Sequence, residues 1–270
     1  MTAFVLVSGG YTGGWIWRDV AARLRERGHQ AHPVTLTGMG DRRHLTGPGT
    51  DLETHIEDVV QLLDHEEPAD TVVVGHCYGL HPALGAVDRR PDRIRRLVHL
   101  DAGMPGDGDA AVDVMPDPAV RDRLLRRARE LGGGRIVPPP PLDDEELWGS
   151  LALLPESARR RLERLAAPQP LGTLTQPLRL TGEAARIPAT GIFCTANGAS
   201  IAVVESLVAS GDPRFHKLTD PQVGFFDLDT GHYPMLSHPD ELTTLLIRAA
   251  AGEGHRLRQS GGRPRPSTAQ

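Results

Sequence analysis

The stretch T-V-V-V-G-H-C-Y-G, residues 71–79, constrains what this chain can fold into more than any other. Four residues of β character run into a G-x-C-x-G spacing that suits a strained turn between a strand and a helix. At such a turn the central residue takes a tight backbone conformation. The positions two before and two after it must lack side-chain bulk so that strand and helix can approach. By itself the spacing is weak, because glycine and cysteine are ordinary residues of a buried strand end, so the rest of the chain has to carry the case.

Short apolar runs separated by helical stretches predict parallel strands joined by crossover helices. Strands are expected at Ala3 to Val7, about Gln30 to Thr35, Asp70 to Val74, Arg96 to Leu100, Thr190 to Cys194 and Phe225 to Leu228. Helices are expected from Trp17 to Arg27, stopping at Gly28, and over Asp51 to Asp64, where Leu52, Ile56, Val59, Val60 and Leu63 share one face. Two more are expected over Tyr78 to Asp88 and Asp240 to Ala251.

A chain of 270 residues with 39% hydrophobic content suits one large α/β domain carrying an insertion. Residues 1–102 and 187–251 make the core, and residues 103–186, too many for an ordinary loop, read as a helical cap. Pro138 to Pro141 predict an extended polyproline segment between cap helices, a spacer in preference to a hinge. The tail, residues 252–270, lacks apolar content and is expected to be disordered.

The formal charge of -5 argues against a nucleic-acid binder, whose footprint is a concentrated basic surface. No run of about 18 apolar residues is present to span a bilayer. The start, M-T-A-F-V-L-V-S-G-G, has no basic region or cleavage site, so a cytoplasmic protein is expected. With two cysteines, Cys77 and Cys194, there is no disulfide framework, and Cys77 stays available as a thiol. No metal or cofactor is expected.

Around that thiol a constellation can be assembled. Ser8-Gly9-Gly10 follows the first strand, and the backbone N–H of Gly10, with that of Tyr78, is placed to form an oxyanion hole; the alternative is a plain glycine-rich turn. His232 lies between the last strand and the last helix, and the order of nucleophile then late histidine favours it as the base. His76 and His81 flank the turn and compete, although His76 is expected to point to the sheet side. Tyr11, Trp15, Trp17 and Trp148 are candidates to line a pocket, with core packing favoured for Trp15 and Trp17.

The segments FVLVSGGYTGGWIWRDVAARLRERGH, TLTGMGDRRHL, GHCYG, RRLVHLDAGMPGDG, PQPLGTLTQPLRL and DTGHYPMLSHPDEL occur in that order. Together they resemble the α/β-hydrolase superfamily, in the branch of small esterases and hydroxynitrile lyases, over about residues 3–250. The resemblance implies an α/β-hydrolase fold, a mostly parallel central sheet flanked by helices with a cap insertion. Three features depart from it: Ser8 stands where relatives have histidine, Cys77 where they have serine, and Asn197 where most have the acid of the triad. Asp101, after the strand that follows the Cys77 turn, is the favoured substitute acid; Asn197 remains the alternative, since an amide can orient an imidazole without stabilising its charge.

A Cys77-His232-Asp101 set on this scaffold resembles the Dieckmann cyclases. That resemblance implies release of a tetramic acid or pyridone from a β-ketoacyl aminoacyl thioester, delivered on a phosphopantetheinyl carrier protein, through a Cys77 acyl-enzyme. Sulfur suits such chemistry, because an acyl thioester is a better electrophile toward a carbanion than an oxygen ester. The alternative is a cysteine-dependent thioesterase or carboxylesterase. A dienelactone hydrolase and a non-catalytic receptor on the same scaffold are further, less favoured readings.

Overall fold

The computed structural model describes residues 1–68 and 70–257. Six strands form one sheet: β1 (Ala3–Val7), β2 (Gln30–Val34), β3 (Thr71–His76), β4 (Ile94–Leu100), β7 (Ala189–Cys194) and β8 (Val223–Leu228). Two short strands within the insertion, β5 (Ile136–Val137) and β6 (Gln169–Pro170), pair antiparallel apart from it. The main sheet is parallel throughout, in the order β2-β1-β3-β4-β7-β8. This is the α/β-hydrolase fold. All six expected strands are present; β3 runs two residues further than its apolar run, because Gly75 and His76 continue the ladder with β4.

The strands of the sheet centre, β1 and β3, are buried along their whole length, which is why they read as continuous apolar runs rather than alternating ones. Helices cover both faces. α1 (Arg18–Glu26) packs with α10 (Pro239–Ala250), and α2 (Leu52–Glu66) with α3 (Leu80–Arg89). α1 ends at Gly28 with φ +80, a left-handed stop that glycine takes without cost. The side chain of Asp51 accepts from the Thr54 N–H at 3.0 Å and caps α2. α8 (Ile201–Ala209) connects β7 to β8, and the short α9 (Pro234–Ser237) precedes α10.

Residues 103–186 hold α4 (Pro118–Leu131), α5 (Glu145–Trp148), α6 (Glu156–Leu165) and α7 (Leu171–Thr175) besides the β5–β6 pair. Pro138 to Pro141 belong to no helix or strand and serve as an acceptor strip. Arg127 donates to the carbonyls of Pro138 and Pro139, and Trp148 Nε1 to those of Pro140 and Pro141. Proline offers only acceptors, so such a strip binds side-chain donors without competing ones.

The tail departs from the expected disorder at its start. His255 pairs with Phe225 at the sheet edge, and Leu257 is buried in a small cluster with Val204 and Phe225. One leucine is enough to anchor this turn where an exposed strand edge offers unpaired backbone groups. Residues 258–270 lie outside the described residues. No helix among the described residues is long and apolar enough to cross a membrane.

Candidate active site

The strand order changes direction between β1 and β3, and ligands of open parallel sheets bind outside the carboxyl ends of the strands at such a switch point. The Ser8-Gly9-Gly10 loop leaves the end of β1, and Cys77 follows the end of β3. Cys77 has φ +52, a left-handed conformation that is strained for a side chain with a Cβ. The two flanking glycines permit it: a Cβ on Gly75 would sit 2.5 Å from Leu80 Cα, and one on Gly79 2.5 Å from the Ser8 carbonyl oxygen. The G-x-C-x-G spacing is therefore a packing requirement of this turn.

Next along the sheet, β4 leads to Asp101, β7 to Asn197 and β8 to His232. His232 Nδ1 lies 2.6 Å from Asp101 Oδ2, and the two side chains are almost wholly buried. On its other side the imidazole hydrogen-bonds the Cys77 sulfur. Thiol, imidazole and carboxylate thus form one chain across the carboxyl edge of the sheet. The N–H groups of Tyr78 and Gly10 both point at the same sulfur. A tetrahedral oxyanion formed on an acyl group at Cys77 would meet these two donors.

The electrostatics favour a charged pair. Burial alone would raise the Cys77 thiol, but the facing His232 charge, its hydrogen bond and the two N–H groups bring it below the ordinary thiol value. Burial alone would lower His232, yet the Cys77 charge and the Asp101 hydrogen bond raise it to about 10. Asp101 is pulled down by His232 and by the Cys194 N–H, against the opposing effect of burial. A thiolate beside an imidazolium is a nucleophile formed before substrate arrives.

Asn197 is in the cluster without replacing the acid. Its Oδ1 accepts the Ser150 N–H at 2.7 Å, which turns Nδ2 toward Asp101 Oδ2 at 2.8 Å. Asp227 and Asp229 face elsewhere, accepting from the Ile201 N–H and the Thr195 hydroxyl. His76 does not turn away from the site as expected. Its ring packs against that of His232, centroids 4.6 Å apart, and its Nε2 bonds the His232 carbonyl at 2.8 Å. Burial keeps it neutral, near 3, so it supports the loop that carries His232 and is not a rival base. His81 stacks on the Tyr78 ring and is held neutral by burial, near 4.

Several residues of the insertion reach the site; of these, only Trp148 stood out in the sequence, as a candidate to line a pocket. The His232 N–H donates to the Ser150 carbonyl at 2.7 Å, and Tyr233 OH to that of Trp148 at 3.0 Å. Gly149, φ +79, lies flat against the imidazole: a Cβ there would be 2.6 Å from His232 Cγ. Gln169, buried, comes close to the Gly10 backbone, and Ala167 N–H bonds the Tyr11 carbonyl at 2.9 Å. Tyr11 and Trp148 meet edge to face, whereas Trp17 is wholly buried in the core and Trp15 lies under Arg161. No group of metal-ligating side chains occurs among the described residues.

Known proteins share this arrangement of chain. A carbendazim hydrolyzing esterase of Nocardioides sp. (strain SG-4G) is 35% identical over 260 residues, covering 91% of this chain and 98% of that protein. Methylesterase 8 of Arabidopsis thaliana is 36% identical over 104 residues, 38% of each chain. An extracellular alpha/beta-hydrolase from a Paenibacillus species superimposes with a TM-score of 0.72 at 20% identity, covering 92% of this chain and 99% of the other. The pattern of the alpha/beta hydrolase family itself matches residues 4–245, so sheet order, turn geometry and sequence agree that the chain belongs to the alpha/beta hydrolase family.

Proposed function

We propose that the chain is a cysteine-dependent acyl hydrolase, an esterase or thioesterase working through a Cys77 acyl-enzyme. The observation that carries this reading is the unbroken line from the Cys77 sulfur through His232 to Asp101, with the Gly10 and Tyr78 N–H groups aimed at the sulfur. The similarity to an esterase along nearly the whole chain supports the same reading.

In this mechanism the Cys77 thiolate attacks the substrate carbonyl carbon, and the oxyanion is held by Gly10 and Tyr78. Collapse expels the alcohol or thiol, which takes the proton from the His232 imidazolium. Acylation removes the thiolate charge, the largest influence holding His232 high, so the imidazole returns to its neutral form. It can then take a proton from water; the hydroxide attacks the thioester, the acid departs and the thiolate–imidazolium pair is restored. Asp101 orients the ring and stabilises its charge in both halves.

A second reading rests on the sulfur itself. Cys77 presents the acyl group as a thioester, and with a 3-oxo substrate a neutral His232 can take a proton from carbon instead of water. The carbanion then closes a ring on the acyl carbonyl. This is the Dieckmann cyclisation of a carrier-bound β-ketoacyl aminoacyl thioester, and the close approach of Gly149 to the buried His232 ring favours it by limiting the approach of water.

One substrate tests both. An N-acetoacetyl aminoacyl thioester carries an electrophile and an internal carbon acid, and its two products differ by one water, which mass spectrometry resolves. Mainly free acid from the wild type, lost in Cys77→Ala, supports the hydrolase; mainly ring product supports the cyclase. Full turnover by Cys77→Ala would overturn both.

A further inference from the structure

The peptide that joins Gly9 to Gly10 carries one of the two oxyanion donors, and neither residue has a side chain to fix it. Glycine populates both signs of φ readily, so a Gly-Gly peptide can rotate about its flanking bonds unless something outside it prevents this. A half-rotation would turn the Gly10 N–H away from the acyl position and point the Gly9 carbonyl there instead. The other donor, the Tyr78 N–H, is held by its place in the turn and by the Tyr78 hydroxyl, which lies 2.8 Å from His55 Nδ1.

The Gly9–Gly10 peptide is held at its carbonyl end. Thr12, wholly buried, donates its hydroxyl to the Gly9 carbonyl at 2.9 Å. A trans peptide is planar, with its C=O and N–H pointing in opposite directions, so a bond that fixes the carbonyl also fixes the N–H. The turn that brings Thr12 back to Gly9 runs through Tyr11 at φ +59, a left-handed conformation that is strained for a residue with a Cβ. Its carbonyl accepts the Ala167 N–H at 2.9 Å, and at the other end of the loop the Ser8 hydroxyl donates to the Val34 carbonyl at 3.1 Å. The loop lies directly against the nucleophile: a Cβ on Gly9 would be 3.0 Å from Cys77 Cβ.

We propose that Thr12 is a positioning residue for the oxyanion hole: its hydroxyl, through the Gly9 carbonyl, sets the direction of the Gly10 N–H. Thr12 acts through the peptide plane and takes no part in bond making. The proposal rests on the Cys77 acyl-enzyme reading, in which that N–H holds the tetrahedral oxygen.

Two pairs of side chains at position 12 test it, threonine against valine and serine against alanine, because within each pair only one member has the hydroxyl. On the butyryl thioester of N-acetylcysteamine, kcat/KM should fall about ten- to hundredfold in Thr12→Val, part of what removal of an oxyanion donor costs. Thr12→Ser keeps the donor and loses bulk; it should stay within about threefold of the wild type, and Thr12→Ala should fall about ten- to hundredfold below Thr12→Ser. Attack of the Cys77 thiolate on butanal gives a hemithioacetal whose oxygen occupies the oxyanion position, so the inhibition constant of butanal should rise in step with the fall in kcat/KM. Iodoacetamide alkylates the same sulfur at a tetrahedral carbon without forming an oxyanion, and its rate should change by less than about threefold. Wild-type kcat/KM in Thr12→Val, a loss in Thr12→Ser as large as that in Thr12→Val, or alkylation that falls as far as kcat/KM would each overturn the proposal. If Thr12→Val does not fold, the serine and alanine variants decide by themselves. Turnover that survives Cys77→Ala would instead overturn the acyl-enzyme reading, a result seen without any change at residue 12.

Discussion

Asn197 holds Asp101 rather than standing in for it: Nδ2 lies 2.8 Å from Asp101 Oδ2, while Ser150 fixes the other end of the amide. The amide is also 3.2 Å from His232 Nδ1, but a donor group facing a protonated ring nitrogen gives no hydrogen bond. The carboxylate therefore receives three donors, from His232, Asn197 and the Cys194 N–H. In the proposed mechanism the acid stands at the end of β4, and Asn197, after β7, supports it.

That division of roles predicts unequal losses. Asp101→Asn should lower kcat by about 10³- to 10⁴-fold, since an amide orients the ring without stabilising its charge. Asn197→Ala should cost about tenfold, through looser placement of Asp101. Steady-state kinetics of the two variants on one thioester checks the ranking. The reverse order would return the acid role to residue 197.

The thiolate–imidazolium pair predicts selective alkylation. Iodoacetamide should modify Cys77 rapidly at neutral pH, because its thiol is held below the ordinary value. Cys194 is buried, and burial raises its thiol, so it should remain unmodified in the folded protein. In His232→Ala the main influence opposing the burial of Cys77 is gone, and its labelling should slow at the same pH. Peptide mapping of the adducts over time distinguishes the sites; equal slow labelling of both would count against a preformed thiolate.

Gly149 predicts a coupling between the insertion and the histidine. Gly149→Ala places a methyl group where the His232 ring lies, at a backbone conformation that costs an alanine of order 1 kcal/mol or more. A small displacement of a catalytic base is expensive, and kcat should fall by about a hundredfold. Stability should change far less than activity. Activity and urea denaturation measured on the same preparation test this; a fully active variant would show that the imidazole position does not depend on this contact.

Titration of the buried histidines predicts acid lability. His55, His76 and His81 are held by burial near 4, 3 and 4, so the folded state binds fewer protons than the unfolded chain below the ordinary value of 6.5. Stability is lost as pH falls from about 6.5 toward those values, at up to about 1.4 kcal/mol per pH unit for each histidine. His232 has the opposite sign: its contribution is fully present below 6.5 and is lost as pH rises through about 10. Because the lowered Cys77 thiol offsets the His232 loss until the unfolded thiol ionises near about 8.5, urea denaturation across this range should show a plateau near neutrality with a decline on each side. Cys77→Ala should weaken the alkaline limb, because the sulfur is the main influence raising His232.

The sequence by itself determined the sheet and the turn. The central strands β1 and β3 are marked by apolar runs because a parallel strand buried on both faces must be apolar at every position, a signal contained within five or six residues. The spacing of Gly75, Cys77 and Gly79 specifies the turn because a Cβ at either glycine would collide with backbone. Which acid meets His232 was not contained in any such window. Asp101 and Asn197 both stand at carboxyl ends of neighbouring strands, and the choice depends on side-chain directions set by partners far away in sequence, Ser150 and Cys194. The contacts of Gly149, Ser150 and Trp148, and the bond from Ala167 to the Tyr11 carbonyl, likewise exist only once residues 103–186 fold back over the sheet edge. Local periodicity records which face of an element is buried; only the tertiary structure decides which polar groups find a partner there.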